Sequence, residues 1–279
     1  MLTPRLEAGV TVVVPNWNHG CFLPRCLTSA VAAARHLERG GLSADIIVID
    51  DASRDGSQKL LRSLALAYNN VLPVLLRDNC GLPGVRNLGL RLARHRYALM
   101  LDADNEVEPE NLPIFLQAMR DTRAALVYGN LIERRDPSDQ PVALRSNEPA
   151  TLRLTLGNYI DAFALVDVEK VLRLGGYTQN PKLCGREDWE LLLHLIAEEE
   201  SIVFVPVVMG YYYLNRLSML ADGNRTLPGA VAVLQRVFAQ SGSKEWDTRR
   251  VGRVYHPEVG FLDERWVDCA PGGEDAGAG

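Results

Sequence analysis

No Cys-x-x-Cys pair, no internal repeat and no apolar run near the ~18 residues that cross a bilayer occur in this sequence. The five cysteines, Cys21, Cys26, Cys80, Cys184 and Cys269, are odd in number. They fit reduced, mostly buried thiols of a cytosolic protein rather than a disulfide or zinc framework. The start of the chain lacks a basic stretch followed by an apolar one, so no secretory signal is expected. There is also no basic excess: 30 Lys and Arg stand against 35 Asp and Glu, a net charge of −5. General binding to nucleic acid or anionic membranes needs the opposite balance, although a local basic pocket for a diphosphate stays compatible. The histidines (His19, His36, His95, His194 and His256) show no metal-ligand spacing. The expectation is a soluble, cytoplasmic chain without a transmembrane segment; a peripheral place at a membrane stays open.

What is present is a core. The 279 residues are 47% hydrophobic, enough for one large or two small domains. Val10 to Val14 is a continuous β-branched run, the mark of a strand covered on both faces, with Pro15 closing it. Helical spacing follows from about Phe22 to Leu37, closed by Gly40-Gly41. Asp45 to Ile49 is a second strand and Ser57 to Ala67 a helix. Val71 to Leu76 is a third strand, Pro83 to Arg94 a helix, and Tyr97 to Leu101 a fourth strand. Alternating strands and helices imply a parallel sheet with helices on both faces. In such sheets ligands gather at the carboxyl ends of the strands, where the polar clusters around Asn16, Asp51 and Asp102 all fall.

The second half is less regular. It reads as a helix over Asn111–Arg120, a strand over Ala124–Gly129 and a possible hairpin near Leu131 and Val142. A strand is expected over Asn158–Val166, then helices over Val168–Leu174 and Arg186–Ala197. Ile202–Val208 and Tyr211–Leu214 read as two strands and Pro228–Ala239 as a final amphipathic helix. One domain is expected over 1–269, with a nucleotide-binding half at about 10–105 and an acceptor half at about 106–240. The last ten residues, 270–279, have nothing to bury and are expected to be disordered.

The sharpest chemical signal is Leu101-Asp102-Ala103-Asp104-Asn105, where an apolar strand stops at two carboxylates one residue apart. Side chains alternate along extended backbone, so Asp102 and Asp104 can share a side. Two hard oxygen ligands suit Mg²⁺ or Mn²⁺ carrying a phosphate-containing substrate. The pattern is short, and strands also end in plain polar turns.

Five segments in order add weight. Val14-Pro15-Asn16-Trp17-Asn18, Asp50 to Ser57, Gly84 to Leu90 (with Arg86-Asn87), Leu101 to Asn105, and Arg186-Glu187-Asp188-Trp189-Glu190 together resemble the family 2 glycosyltransferases over about Val10 to Met219. The resemblance implies a GT-A fold: an α/β architecture whose mostly parallel central sheet is flanked by helices on both faces, with a less regular C-terminal acceptor half. It also implies inverting transfer of a sugar from a nucleotide-diphosphate donor, UDP being the best guess, to an acceptor hydroxyl with Mn²⁺ or Mg²⁺. The acceptor class stays open: saccharide, lipid-linked or another hydroxyl compound.

By the same resemblance, Pro15, Trp17, Asn18, Asp51, Arg86, Asp102 and Ala103 face the nucleotide sugar. Asp51 meets the base, with Asp55 or Ser53 left to cap the next helix. Trp17 is either a platform for the base ring or a core residue. Arg86 binds the base edge, steadies the acidic cluster, or is a plain helix charge. Asp102 goes to the ribose and Asp104 to the metal. The family often adds a late His ligand; here Asn215 stands at or near that place, a weaker carbonyl donor, and Arg216 is an alternative partner for the diphosphate. Asp188 takes the position of the general base, although acids in a helix's first turn also serve its dipole. Glu187, Trp189, Asn158 and Asp161 are candidate acceptor contacts. The competing reading is a non-catalytic nucleotide-sugar-binding protein on the same scaffold. A nucleotidyltransferase is disfavoured, because Asn16 to Gly20 is not a glycine-rich phosphate loop.

Overall fold

A computed structural model describes residues 6–135, 140–155, 157–214, 253–256 and 260–263. The chain divides into two compact units, Met1–Lys244 and Glu245–Gly279, each described by itself. The first unit runs β1 (Leu6–Asn16), α1 (Leu23–Arg39), β2 (Ser43–Asp50), α2 (Ser57–Ala67), β3 (Val71–Leu75), α3 (Gly81–Leu92) and β4 (His95–Met100). It continues with β5 (Glu106–Val107), α4 (Leu112–Thr122), β6 (Leu126–Arg135), β7 (Gln140–Arg145), β8 (Leu165–Asp167), α5 (Val168–Arg173), α6 (Glu187–Ala197) and β9 (Ile202–Leu214). Within the second unit, β10 (Arg253–His256) and β11 (Gly260–Asp263) form an antiparallel pair, in a region where no strand was expected. Asn215, the helix at Pro228–Ala239 and the tail at 270–279 lie outside the described residues.

Nine strands among the described residues form one sheet in the order β3-β2-β1-β4-β8-β6-β9-β5, with β7 beside the far end of β6. β3, β2, β1, β4, β6 and β9 run one way, while β8, β5 and β7 run against them. The sheet is therefore mostly parallel, as expected. Both faces are covered. Val10, Val12 and Val14 of β1 pack with Leu23, Leu27 and Ala30 of α1, and the same cluster takes in Leu61 of α2 and Phe115 of α4. On the other face Ile47 and Ile49 of β2 meet Val85 of α3. Fully burying each such side chain is worth roughly 1.5–3 kcal/mol, so an unbroken aliphatic run strongly favours a strand sealed on both sides. Helix α3 comes close enough that a Cβ on Gly89 would lie 2.2 Å from Val13 Cγ1.

Several expectations change in detail. Pro15 does not end β1, which continues to Asn16. Val13 C=O faces β4, where it accepts from Leu101 N (3.0 Å). Pro15, two residues on, faces the same way just where β4 has stopped, so its missing N–H forfeits no ladder bond. The strand expected over Asn158–Val166 shrinks to β8 at its end. Asn158 Oδ1 accepts from Ile160 N and Asp161 Oδ1 from Phe163 N, and these side-chain turns satisfy backbone donors locally instead of in a ladder. The two strands expected after Ile202 are one, β9, with register shifts against β6 between Gly129 and Leu131 that accommodate Pro206. The hairpin near Leu131 and Val142 is present as β6 and β7. Mostly buried thiols are not found: of the described cysteines only Cys26 is buried, while Cys21, Cys80 and Cys184 are exposed.

Candidate active site

Because β1, β2 and β4 are parallel neighbours, their carboxyl ends lie side by side, and the polar segments that follow them share one edge. Asn16 and Asp50 are register partners, and Asn16 Nδ2 donates to Asp50 Oδ2 at 2.7 Å. Asp50 is fully buried and also accepts from Ser53 N and Gln58 Nε2, so it organises the loop. Asp51 is 2% exposed, and its two oxygens accept the backbone N–H groups of Cys80 (2.7 Å) and Gly81 (2.9 Å) at the head of α3. That is what an N-terminal cap supplies, delivered here from a neighbouring strand. Any nucleotide contact by Asp51 uses the lone pairs left over. Neither Asp55 nor Ser53 is the cap of α2, which is Gly56 without a side-chain cap bond; Asp55 accepts from Ser57 N (3.0 Å) from one residue before the cap.

Of the other residues expected near the nucleotide, Trp17 is 55% exposed and so is no core residue. Asn18 takes a left-handed backbone (φ 56°) and accepts from Arg54 N, tying the first loop to the second. Pro15 is buried within β1, and Ala103 packs its methyl into the core. From Leu101 to Val107 burial alternates: Leu101, Ala103, Asn105 and Val107 are inside, while Asp102, Asp104 and Glu106 are half-buried. The backbone here turns instead of continuing extended, with Asn105 N donating to Asp102 C=O (3.0 Å). Asn105 Oδ1 accepts from Tyr213 N (3.1 Å), pinning the turn to β9. Arg25 of α1 donates to Asp104 C=O (3.0 Å) and stacks on the Tyr213 ring at 3.5 Å.

Arg86 joins the two halves of the unit. It is 3% exposed; Nη2 donates to Asp102 Oδ1 (2.9 Å) and Nη1 to Glu187 Oε1 (3.0 Å). The carboxylates of Asp102 and Glu187 hold its guanidinium firmly charged despite burial. Of its possible roles, steadying the acidic cluster is the one the geometry displays. Asn87 beside it exchanges two bonds with the Tyr177 backbone, Nδ2 to C=O (2.7 Å) and N–H to Oδ1 (2.8 Å). The Tyr177 ring then lies 5.4 Å from the Arg86 guanidinium.

Through Glu187, Arg86 also fixes the head of α6 and so brings Asp188 to the cluster. Burial, then the charge of Glu187, pushes the Asp188 carboxyl up to about 7, with Arg86 pulling the other way. Its Oδ1 accepts from Trp189 N (2.8 Å) and its Oδ2 from Asn158 Nδ2 (3.1 Å). Asp161 adds to the shift on Asp188, and burial raises its own carboxyl as well. Two candidate acceptor contacts are corrected. Trp189 is 3% exposed with its indole N–H donated to Leu154 C=O (2.6 Å), and Glu187 is 2% exposed against Arg86. Both anchor α6, and neither offers a face to a ligand.

Sequence reasoning missed a second cation. Arg145 of β7 pairs with Glu133, lies 3.8 Å from Asp161, and stacks on the Tyr212 ring at 4.2 Å. Tyr212 is held protonated by burial and by the charges of Asp161, Asp104 and Asp102, so this group adjoins the Asp-x-Asp turn. No sequence motif marks Arg145; only the pairing of β7 with β6 brings it in.

A sequence model described as Glycosyl transferase family 2 matches residues 11–172. The undecaprenyl-phosphate 4-deoxy-4-formamido-L-arabinose transferase of Aeromonas hydrophila is 34% identical over 110 residues, 39% of this chain and 33% of that one. The poly(ribitol-phosphate) beta-glucosyltransferase of Bacillus spizizenii is 28% identical over 123 residues, 44% of this chain and 19% of that one. The aligned stretch is thus a third or less of either relative's length. The crystal structure of S. aureus TarS in complex with UDP-GlcNAc superposes with a TM-score of 0.63 at 14% identity, covering 84% of this chain and 71% of that one. The fold is of the GT-A type. The chain belongs to glycosyl transferase family 2.

Proposed function

We propose that the protein is an inverting glycosyltransferase that moves a sugar from a nucleotide-diphosphate donor, best taken as a UDP-sugar, to an acceptor hydroxyl. The observation that carries this reading is the Asp188 carboxyl, raised to about 7 and tied through Glu187 and Arg86 to Asp102. A general base works best when its pKa lies near the working pH and it reaches the acceptor. In this reading Asp188 takes the acceptor O–H proton as that oxygen attacks the anomeric carbon from the face opposite the leaving diphosphate. Asp102 receives the ribose, exposed Trp17 stacks on the base, and Asp161 and Arg145 line the acceptor side. The names of the Aeromonas and Bacillus relatives point to phosphate-containing carriers, so a lipid-linked or polyol-phosphate acceptor is the first class to test.

Asp104 is the proposed ligand for Mn²⁺ or Mg²⁺. No group of three His, Cys, Asp or Glu able to hold a metal occurs among the described residues, and Asn215 lies outside them. A half-buried carboxylate such as Asp104 fits a cation that arrives with the donor, since such ions take one or two carboxylates and complete their shell from phosphates and water. Bound there, the ion would supply Lewis-acid neutralisation of the departing diphosphate.

The test is a thermal-shift screen of UDP-, GDP- and dTDP-sugars with and without Mn²⁺, followed by release of the nucleotide from the stabilising donor. A ligand that binds only the folded protein raises the melting temperature. Stabilisation followed by nucleotide release supports the enzyme; stabilisation without release in the presence of any acceptor supports the binding-protein reading.

A further inference from the structure

Asp188 arrives on the first turn of α6, but one of the two bonds that orient it comes from elsewhere. The segment from Asn158 to Phe163 is held by consecutive side-chain turns, and Asn158 closes the first of them, Oδ1 accepting from Ile160 N at 3.1 Å. This bond fixes which end of the amide is which. With the oxygen committed to a backbone N–H, only Nδ2 can face Asp188 Oδ2, and it does so at 3.1 Å. The other oxygen, Oδ1, is held by Trp189 N at 2.8 Å. Each Asp188 oxygen therefore has one fixed donor and keeps lone-pair capacity for a third partner.

We infer that Asn158 is a positioning residue for Asp188, steering its carboxylate and stabilising the charged form, rather than a contact for the acceptor. This rests on the reading of Asp188 as the base and adds the device that keeps it usable. The groups acting on Asp188 are unbalanced. Glu187 beside it on α6 and Asp161 from the loop disfavour its charge, while Arg86 from α3 favours it. Arg86 is already shared between Asp102 and Glu187, and Tyr177, packed on the same cluster, stays protonated. Among the described residues, the neutral donors bonded directly to the carboxylate are the Trp189 backbone N–H and the Asn158 amide. A donor to the charged form lowers a carboxyl pKa, so losing it raises the pKa further.

The test is a pH titration of the Asp188 side-chain carbon by NMR in protein labelled at aspartate, with Asp188→Asn used to assign the signal. Asn158→Ala is expected to move the midpoint upward by about one pH unit. Asn158→Asp, which swaps the donor for a second carboxyl, is expected to move it further. An unchanged midpoint in both variants overturns the inference, and so does a downward shift. If Asn158→Ala does not fold, Asn158→Asp and Asn158→Ser carry the same comparison, with Asn158→Ser expected between wild type and Asn158→Ala. The acid limb of nucleotide release, with water as acceptor and the donor found by thermal shift, should follow the NMR midpoint. A merely structural role for Asn158 would lower the rate equally at every pH and leave the midpoint in place. Should the midpoint shift while Asp188→Asn keeps full activity, the Asn158–Asp188 relation stands and the assignment of Asp188 as base falls.

Discussion

Asp102 at the end of β4 and Glu187 at the head of α6 are held by opposite arms of one guanidinium, Arg86 Nη2 at 2.9 Å and Nη1 at 3.0 Å. The bridge ties the strand end that carries the Asp-x-Asp turn to the helix that carries Asp188. A substrate bound at one is thereby registered to the residue proposed to act at the other.

Replacing Arg86 by Met should be severe, because Glu187 then stays buried with its charge uncompensated. Breaking one side of a buried pair costs about 3–5 kcal/mol. Denaturant unfolding should show a loss of that size, and nucleotide release should fall with it. Adding Glu187→Leu to Arg86→Met should recover much of the stability but not the activity, because the link to Asp102 is still missing.

The pH dependence follows from Asp188. A base held at about 7 is protonated and idle in acid, so nucleotide release should climb as pH rises through 7. Stability runs the opposite way. In the unfolded chain this carboxyl ionises near 3.9, so the folded protein keeps the proton longer and loses stability as pH rises from about 4 to 7. Asp188→Asn should therefore raise the melting temperature by a few degrees at pH 8 and leave it nearly unchanged at pH 4.

Trp17 is more than half exposed, so Trp17→Ala should leave the melting temperature within a degree or two of wild type. Stacking of a base on an aromatic ring is worth about 1–3 kcal/mol, so donor binding should weaken by roughly ten-fold or more. Calorimetric titration with UDP measures it; unchanged affinity removes Trp17 from the site.

Gly89→Ala tests the packing of α3 on β1. The added methyl would lie 2.2 Å from Val13 Cγ1, and overpacking of this kind costs about 1–3 kcal/mol. Because α3 carries Arg86, a measured shift of the helix should also lower the rate of nucleotide release.

Much of this was legible in the sequence. The β-branched runs at Val10–Val14 and Asp45–Ile49 define strands sealed on both faces, and α2 begins and ends where its spacing places it. The clustering of polar residues at the ends of parallel strands was also readable, because parallel strands bring those ends together whatever their exact lengths. Side-chain fates were harder to read. Trp189 and Glu187 carry the residue types of a sugar site yet serve as anchors, because the indole N–H and the second carboxylate each find a buried partner distant in sequence. Arg145 was invisible for the converse reason: nothing local marks it, and only the β6–β7 pairing brings it to Asp161. At Asn158–Ala164 an apolar pattern favours a strand, but Asn and Asp side chains bond the backbone locally and win.

The central claim, that Asp188 is the base of a sugar transfer, is tested most directly by comparing wild type with Asp188→Asn at pH 8. The measurement is UDP release from the stabilising UDP-sugar with Mn²⁺ present, with UDP affinity determined in parallel. The predicted result is a loss of at least a hundred-fold in release with UDP affinity within about two-fold of wild type, since general-base catalysis typically supplies 10²–10⁴-fold. Release at the wild-type rate, with UDP still bound, would contradict it.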